Sequence, residues 1–415
     1  MSIVRDPSLA ADGERKISWV AEWMPVLNLV RDRLRSEGTV DGRRMAVILP
    51  VEPKTAYLAA ILADAGAEVS VAFQGVMVHD DVAAGLAARG VEVFAQAGSS
   101  REEELRFFEE VLARRPEVVI DDRADVIRLA HTTHPEVLES LIGASEETTS
   151  GVVQLRAMEA DRTLKVPCIA ANDARCKYLF DNRYGTGQSS VNAVLDRTNL
   201  LAADKDVVVV GYGWVGKGIA LRLRGLAARV TVCEVDPFAA LEAYHDGFEV
   251  APLVEACAGA DLVISGTGVR CTIGPDALEA LPDGALLANA GAVDDEIDIA
   301  WLREHADEVR AARDHVEEFV LGDGRSLYLV GAGVVVNLSA AEGHPAEIMD
   351  LTFAVQALSG AYLMQHGRGL EPRVHTLPAG IDEEIARLKL AALGVRIDEL
   401  TAAQKAFLQA WEAFE

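Results

Sequence analysis

The sequence predicts an α/β protein built from two doubly wound parallel-sheet domains, with the second domain inserted into the first. Short apolar runs alternate with helical patterns through residues 1–185, and a second such series begins near residue 192 and closes near residue 338. After residue 344 the pattern is helical again. We therefore expect one domain from residues 1–186 and 345–383, an inserted domain from residues 187–344, and a helical segment at residues 384–415.

The first series contains four short apolar runs that have the length of buried strands. They lie at residues 45–49, 68–73, 91–95 and 118–121, and helical patterns such as those at 55–65 and 80–89 lie between them. Continuous apolar runs, rather than alternating ones, are typical of parallel strands that helices cover on both faces. The first domain is thus predicted to hold an open parallel sheet.

The second series opens on the most informative stretch of the chain, a β-branched run that leads directly into Gly211-x-Gly213-x-x-Gly216 and a helical pattern. A second strand pattern then ends in Glu234. Glycines at this spacing allow a tight turn and a close approach of the backbone to a pyrophosphate. A carboxylate at the end of the second strand can accept hydrogen bonds from both ribose hydroxyls and would repel a 2′-phosphate. The sequence therefore predicts a Rossmann domain that binds NAD rather than NADP.

The strand patterns of this inserted domain lie at residues 206–210, 229–233, 262–265 and 285–288. Two further β runs, at residues 327–330 and 334–338, flank Gly331-Ala-Gly333 and predict a strand pair joined by a turn. The other residues of this domain that we expect to contact the cofactor are Trp214, Val215, Thr267 and Asn289.

The composition favours a small-molecule substrate. The chain carries 65 acidic and 39 basic residues among 415, a net charge of −26, which would repel nucleic acid and anionic membrane surfaces. The longest uncharged stretches are too short and too interrupted by glycine and polar residues to span a bilayer. Five scattered cysteines without metal-type spacing predict no metal site and suit a reducing cytoplasm.

Four motifs, in order along the chain, carry a resemblance to a known family. They are Gly143-Ala-Ser-Glu-Glu147-Thr-Thr-Ser150-Gly151, Asn172-Asp-Ala-Arg-Cys-Lys177-Tyr-Leu-Phe-Asp181-Asn182, the glycine loop at 211–218, and Val336-Asn337-Leu-Ser-Ala-Ala-Glu-Gly343-His344-Pro345. Together they resemble S-adenosylhomocysteine hydrolase over essentially the whole chain. The resemblance implies a permanently held NAD and a redox-neutral cycle. In that cycle a nucleoside 3′-hydroxyl is oxidised, the C4′ proton and the 5′ substituent leave, water adds, and the ketone is reduced back.

The same resemblance implies residue roles. Lys177 and Asp181 are the expected catalytic pair at the 3′-hydroxyl, and Glu147 and Asp122 resemble the ribose-binding and C4′-facing carboxylates. Four residues apart, Lys177 and Asp181 would share one helix face, and crowded surroundings could lower the lysine pKa enough for it to act as a base. His344 is expected beside nucleoside and cofactor. The side chains expected to hold NAD from these motifs are Thr148, Thr149, Ser150, Asn182 and Asn337.

The departures from the family cluster at one end of the expected substrate. The family's His-Met-Thr-x-Glu-Thr stretch is Pro50-Val-Glu52-Pro-Lys54-Thr55 here, so proline replaces the histidine that assists the 5′ leaving group. Lysine replaces the glutamate that accepts a hydrogen bond from the amino group of adenine. Because Lys54 is only a donor, either Glu52 takes over that role or the base differs, for instance a 6-oxopurine. The expected substrate-binding residues are Glu52, Lys54, Thr55, His79 and His344.

Three more departures affect the same region and the glycine loop. The family's Gly-His pair is Gly291-Ala292, which removes a second imidazole, and His79 could stand in for one of the two. The Asp-Asp-Gly-Gly-Asp loop is Asp121-Asp-Arg123-Ala124-Asp125, and Trp214 replaces the usual aspartate of the glycine loop.

The residues that serve NAD and the 3′ redox step are kept, whereas those that serve the 5′ substituent and the base are changed. We therefore expect a nucleoside 5′-dehydratase, which eliminates water from a purine nucleoside and leaves a 4′,5′-alkene. A genuine S-adenosyl-L-homocysteine hydrolase is the first alternative, and an inactive NAD-binding regulatory relative is the second. The resemblance also implies a homo-oligomer, either a dimer or a tetramer.

Overall fold

Seven parallel strands form the sheet of the first domain. The computed structural model describes residues 2–411, the side chain of Val76 excepted. The strands are β1 (Arg44–Val47), β2 (Glu68–Ala72), β3 (Glu92–Phe94), β4 (Val118–Asp121), β5 (Gly143–Glu146), β6 (Cys168–Ala170) and, from much later in the chain, β15 (Val374–His375). Their order is β15-β6-β5-β4-β1-β2-β3, and every neighbouring pair is parallel.

Helices cover both faces of this sheet, which explains why the four strands predicted from the sequence are continuous apolar runs. From the N-terminal part of the chain they are α1 (Ala10–Glu22), α2 (Pro25–Glu37), α3 (Pro53–Asp64), α4 (Asp80–Ala88), α5 (Arg101–Ala113), α6 (Asp125–Thr132), α7 (Thr149–Ala160) and α8 (Arg175–Tyr178). A π-helical segment, Asp181–Thr186, and α9 (Gly187–Thr198) then lead into the second domain.

The second domain holds an eight-stranded mixed sheet. Its strands are β7 (Asp206–Val210), β8 (Arg229–Cys233), β9 (Glu249–Val250), β10 (Leu262–Ser265), β11 (Leu286–Asn289), β12 (Ala306–Arg313), β13 (Val316–Leu321) and β14 (Ser326–Val335). The order is β12-β13-β14-β11-β10-β7-β8-β9. All pairs are parallel except β12–β13 and β13–β14, which are antiparallel. The helices are α10 (Trp214–Gly225), α11 (Pro237–His245), α12 (Leu253–Cys257), α13 (Pro275–Ala280), α14 (Ile299–His305) and α15 (Val336–Ser339).

The chain returns to the first domain after α15. Helix α16 (Ala346–His366) packs against α2, α3, β4 and β5, and most of its residues are buried. Helix α17 (Ala379–Ala392) packs on α16, and α18 (Ala402–Gln409) has no buried residue. Residues 393–401 between them are not helical, and residues 412–415 of the predicted helical segment lie outside the described residues.

The structure confirms the predicted class of two parallel-sheet α/β domains, the second of Rossmann type. The predicted strand pair at 327–330 and 334–338 is wrong. A single bulged strand, β14, runs through Gly331-Ala-Gly333 to Val335, and residues 336–338 of the second run lie in helix α15. Backbone φ angles of +68°, +56° and +76° at these three residues absorb the bulge, so the register against β11 jumps from Val330 to Val335.

The five cysteines are unpaired, and only Cys271 is exposed. Within the described residues, no group of three or more His, Cys, Asp and Glu side chains is arranged to hold a metal ion. None of the helices in residues 2–411 is both long and apolar enough to cross a membrane. The cytoplasmic location stays a prediction.

Candidate active site between the two sheets

A cavity of about 610 Å³ lies between the domains, where the carboxyl ends of strands from both sheets face each other. The first domain lines it with residues that follow β1, β4, β5 and β6, including Pro50, Asp122, Glu147 and Asn172. The second lines it with residues that follow β7, β10 and β11, including Trp214, Thr267 and Ala292. Ligands of doubly wound sheets bind in such crevices.

Lys177 lies buried at the centre of a polar network in this cavity. Its Nζ is 3.6 Å from Oδ2 of Asp181 and donates to the side-chain oxygens of Asn182 (3.1 Å) and Asn172 (3.3 Å). The predicted pair therefore meets. It does not share the face of one α-helix, because α8 ends at Tyr178 and Asp181 begins the π-helical segment. Single π-helical turns are frequent at functional sites.

The pKa of Lys177 lies above its ordinary value, so the expected lowering is wrong. Burial alone lowers this pKa, but the negative charges of Asp181, Glu147 and Asp122 outweigh burial and raise it. Burial pushes the pKa of Asp181 upward, yet Lys177 and His344 more than offset it and hold that pKa well below its usual range. The pair is thus an ammonium and a carboxylate. No local sequence pattern shows that three carboxyl groups surround this lysine in the fold.

Asp122 and Glu147 have pKa values on either side of neutrality. Burial raises the pKa of Asp122 to about 6, against the opposing hydrogen bond from Thr148 and the charge of Arg123. Burial also raises the pKa of Glu147 to about 8, which Lys177 opposes and Asp181 reinforces. Two carboxyl groups whose surroundings separate their pKa values can serve as base and acid in one site.

Lys54 and Glu52 form a buried ion pair at another wall of the cavity. Glu52 caps helix α3, since its carboxylate accepts from the backbone N–H groups of Lys54 and Thr55 at 3.1 Å each. Its Oε2 also lies 2.5 Å from Nζ of Lys54, which donates in addition to the carbonyl oxygen of Glu342 at 2.7 Å. Both side chains are about 5% exposed. The carboxylate is therefore occupied by its own helix and its own lysine.

The glycine loop joins β7 to α10 with the backbone expected of a dinucleotide site. Gly211 has a φ of +91°, and a Cβ at Gly216 would lie 1.9 Å from the carbonyl oxygen of Gly211, so only glycine allows this approach. At Gly213, no atom of the described chain lies within 4 Å of a would-be Cβ, which leaves the N-terminus of α10 open to a ligand. The carboxylate of Glu234 accepts from the backbone N–H groups of Tyr212, Val235 and Asp236 at 2.6 to 3.0 Å, which fixes it beside the loop.

Two family models match the chain over the parts that build this cavity. The model described as S-adenosyl-L-homocysteine hydrolase matches residues 2–135, and the model of the NAD-binding domain of the same enzyme matches residues 182–343. The chain belongs to the S-adenosyl-L-homocysteine hydrolase family. Its cofactor is NAD.

Relatives of this family match over nearly the whole chain. An adenosylhomocysteinase from Pyrococcus abyssi is 49% identical over 99% of this chain and 97% of its own length. Two S-inosyl-L-homocysteine hydrolases, from Methanopyrus kandleri and Methanocaldococcus jannaschii, are each 46% identical. The matches cover 99% and 98% of this chain, and 97% and 98% of the two relatives. Because these relatives are enzymes, we treat the chain as an enzyme and set aside the inactive-relative alternative.

The residues present fit NAD at one buried point in particular. Asn337 lies in α15, lines the cavity and is 1% exposed, and neither its Oδ1 nor its Nδ2 has a hydrogen-bond partner among the described residues. A buried polar group without a partner costs about 1–3 kcal/mol. An amide that offers a free donor and a free acceptor suits a carboxamide, such as that of nicotinamide.

Most other predicted residues also reach the cavity. His344 lines it, with Nε2 2.9 Å from the hydroxyl oxygen of Thr186 and Nδ1 3.0 Å from Asp181. Ser150 does not line it, and its hydroxyl oxygen lies 3.5 Å from that of Thr148. The roles of these side chains stay predictions. The other predicted residues that line the cavity are Glu52, Lys54, Thr55, Thr148, Thr149, Asn182, Trp214, Val215 and Thr267.

Six further predicted residues do not line the cavity, namely Gly211, Gly213 and Gly216 of the glycine loop described above, Glu234 beside it, and His79 and Asn289. His79 precedes helix α4, and its backbone N–H donates to Val51, but its side chain does not line the cavity. Asn289 is fully buried, and its amide donates to Val293 and Gly333 and accepts from Ser265 and Gly291. These contacts assign Asn289 to holding the turn after β11 and leave its expected cofactor role without structural support.

Several polar residues of the site were not among the predicted ones, and three of them bear directly on its chemistry. Arg123 lines the cavity, Asn172 accepts from Lys177, and Gln356 of α16 donates to Glu147. Asn172 and Arg123 stood inside motifs that we had noted, so their neighbours were the available signal. Gln356 is 209 residues from Glu147 in sequence and within an apolar helix, and no local pattern indicates it.

Proposed function

We propose that this enzyme hydrolyses an S-nucleosyl-L-homocysteine whose base is a 6-oxopurine, that is, S-inosyl-L-homocysteine, to inosine and L-homocysteine. The ion pair of Lys54 and Glu52 carries the proposal. Two relatives at 46% identity are named S-inosyl-L-homocysteine hydrolases, which supports the same choice of base.

Lys54 suits a base that accepts a hydrogen bond. An ammonium has three N–H donors. Within the described residues, two of them are directed to Glu52 and to the carbonyl oxygen of Glu342, so one remains for a ligand. A 6-oxo group can accept that bond, whereas the amino group of adenine would place donor against donor. Glu52 cannot readily offset this, because its carboxylate already caps α3 and pairs with Lys54.

The polar network at Lys177 suits the redox half of the reaction. When bound, NAD would take the hydride from C3′ and return it after the change at C5′. Lys177, held by Asp181 and two asparagines, is placed to exchange the proton of the 3′-hydroxyl. As an ammonium in the free enzyme, it must first transfer its own proton to act as a base.

Asp122 and Glu147 suit the elimination half. Oδ1 of Asp122 is buried, lines the cavity and has no hydrogen-bond partner among the described residues, so this oxygen is free to accept the C4′ proton. With a pKa of about 6, Asp122 is ionised at neutral pH. Glu147, with a pKa of about 8, keeps its proton and can donate to a ribose hydroxyl.

Elimination of water from a nucleoside is the second candidate. One observation favours it: Pro50 and Ala292, which stand where the family has imidazoles, both line the cavity. The elimination of water would use the same 3′ oxidation and the same loss of the C4′ proton, with hydroxide instead of thiolate as the leaving group. Hydrolysis ranks first because the named relatives are hydrolases of S-nucleosylhomocysteines.

Product analysis separates these activities. The NAD-loaded enzyme is incubated with S-inosyl-L-homocysteine, S-adenosyl-L-homocysteine, inosine and adenosine. Released thiol is titrated, and nucleosides are measured by mass spectrometry. We expect thiol release that is faster from the inosyl substrate by at least tenfold. Loss of one water from inosine or adenosine without thiol release would favour the dehydratase, and faster release from the adenosyl substrate would contradict the assigned base.

The Lys54→Glu variant tests the base directly. It restores the residue type that the resemblance assigns to adenine binding, and we expect the preference to shift toward the adenosyl substrate by about 10- to 100-fold, the worth of one charge-assisted hydrogen bond. Lys205→Glu, on the surface of the second domain, is the matched control. An unchanged ratio of kcat/KM between the two substrates would show that Lys54 does not contact the base.

A further inference from the structure

Arg123 is a cation in the cavity that the proposed reaction does not use. It follows Asp122 directly and lines the cavity from the first domain. Its guanidinium makes one side-chain hydrogen bond, to Oε1 of Gln74 at 3.1 Å, and no ion pair within 4 Å among residues 2–411. A guanidinium has five N–H donors, so four are left for water or a ligand.

The backbone at Arg123 is held in a conformation that side chains rarely adopt. Its φ is +63°, and Ala124 follows at +54°. The family's loop has glycine at both positions, which would carry no such strain. Backbone N–H groups of both residues donate to the fully buried carboxylate of Glu146 at 3.0 Å, which fixes the turn. A strained residue that the surrounding structure holds firmly is often functional.

Charges around Arg123 favour a carboxylate over a phosphate. Asp122 precedes it, and Asp125 accepts from Gln74 at 3.1 Å. Burial raises the pKa of Asp294 in the second domain, while the charge of Arg123 opposes that rise. A dianion would be repelled by these acids. An amino acid instead brings an ammonium that the acids attract and a carboxylate that matches the guanidinium fork.

We propose that Arg123 binds the α-carboxylate of an amino acid carried at the 5′ position of the nucleoside. The inference rests on the proposed function, because only a substrate with an amino-acid substituent has this carboxylate. It adds a specificity-determining residue on the 5′ side, where the family's imidazoles are replaced. It also offers a source of substrate recognition that does not depend on those imidazoles.

Paired substrates that differ only in the carboxylate test this inference. The substrates are S-inosyl-L-homocysteine and its decarboxylated analogue, 5′-S-(3-aminopropyl)-5′-thioinosine. Both are measured with wild type, Arg123→Gln and Arg123→Lys for thiol release, and by calorimetry for binding. Arg162→Gln is the matched control, since Arg162 also has a positive φ, of +59°, but is exposed and away from the cavity.

The expected result is a loss of kcat/KM of about 10- to 100-fold for the carboxylated substrate in Arg123→Gln, as for removal of a charged hydrogen-bond partner. Because Arg123 also lowers the pKa of Asp122, the decarboxylated analogue should lose activity too, but by a smaller factor than the carboxylated substrate. Arg123→Lys should recover part of the loss because it restores charge without the fork. Equal effects on both substrates, or none on either, would overturn the inference.

The calorimetric binding data allow the role of Arg123 to be tested separately from the proposed hydrolysis. If wild type releases no thiol, the proposed hydrolysis fails. The affinity ratio of the two ligands, in wild type and in Arg123→Gln, then decides on Arg123 alone. Inosine 5′-phosphate is the third ligand in the binding measurements. Tighter binding of this nucleotide than of the carboxylated thioether, lost in Arg123→Gln, would make the site a phosphate site and overturn the assignment to an amino acid.

Discussion

At the scale of single residues, the protonation states of the buried ionisable groups determine what the site can do. One ammonium, that of Lys177, is surrounded by three carboxyl groups in a buried cavity. The most ionised of these, Asp181, lies beside Lys177 and His344, which offset the effect of burial and lower its pKa. The other two are left with raised pKa values, and this division is what gives the cavity both a base and an acid.

The activity should therefore depend on pH in a bell shape. Asp122 acts ionised, so kcat/KM should rise as the pH increases through about 6, and Glu147 acts protonated, so it should fall as the pH increases through about 8. Initial rates of thiol release between pH 5 and pH 9 measure both limbs, which report macroscopic values of the coupled pair. In Asp122→Asn the residual activity should lose the acid limb and keep the alkaline one. An unchanged acid limb would refute the role of Asp122.

Lys177→Ala should abolish oxidation of the 3′-hydroxyl. Removal of a positioned proton-transfer group costs about 10²- to 10⁴-fold. The readout is the absorbance of reduced cofactor after substrate is mixed with NAD-loaded enzyme, and Lys205→Ala, a surface lysine paired with Asp261, is the control. A variant that still produces this absorbance at the wild-type rate would contradict the assignment.

At the scale of elements, the sequence predicted those strands and loops that a local residue pattern encodes. The apolar runs of β1, β2, β4, β7, β8 and β10 and the glycine loop were found because each is a continuous, local signal. Strand β5 was missed as a strand because its residues, Gly-Ala-Ser-Glu, have low strand propensity, and it exists through pairing with β4 and β6. The hairpin of β12 and β13 was missed for a related reason, since β12 is polar and exposed.

The site shows the same difference between features that a local pattern encodes and features that only the fold creates. Motif residues such as Lys177, Asp181 and Asn337 do line the cavity, and their roles stay predictions, whereas the expected lowering of the pKa of Lys177 is wrong. Its direction depends on Glu147 and Asp122, which follow other strands and are brought together only by the sheet. Electrostatics of a buried cluster is a property of the fold, and no single segment encodes it.

The contact between the glycine loop and helix α10 gives an element-scale prediction. Gly216→Ala should lower the thermal unfolding midpoint and the NAD content, because its Cβ would lie 1.9 Å from the carbonyl oxygen of Gly211. Gly225→Ala, at the end of the same helix, is the control, since no atom of the described chain lies within 4 Å of its would-be Cβ. We expect the control to bind NAD normally and to be stabilised by about 0.4–1 kcal/mol. Equal NAD content in both variants would contradict the close-approach argument.

At the scale of the whole molecule, the end of the described chain is apolar and uncovered. Helix α18 has eight residues, none of them buried, and an isolated helix of that length is not stable in water. Leu408 is 70% exposed and Trp411 is 86% exposed. The dimer or tetramer that the family resemblance implies stays a prediction, and a second copy of this chain would cover these side chains.

Native mass in solution tests the oligomer. We expect wild type to have the mass of a dimer or tetramer, and a Leu408→Glu, Trp411→Glu double variant to dissociate or to weaken its association at least tenfold, because charges would replace buried apolar surface. Lys405→Glu, on the same helix, serves as the control. A monomeric wild type, or a double variant of unchanged mass, would show that this segment does not join the subunits.

The late return of the chain to the first domain sets an order of events during synthesis. Helix α16 fills the core of that domain and carries Gln356, the hydrogen-bond partner of Glu147, yet it follows the entire second domain in sequence. While residues 187–345 emerge from the ribosome, the first sheet has an open apolar groove and lacks its edge strand β15. The nucleotide domain is contiguous and can fold in the meantime. The wall of the cavity is therefore complete only when α16, which contributes Met349 and Phe353 to it, has been made.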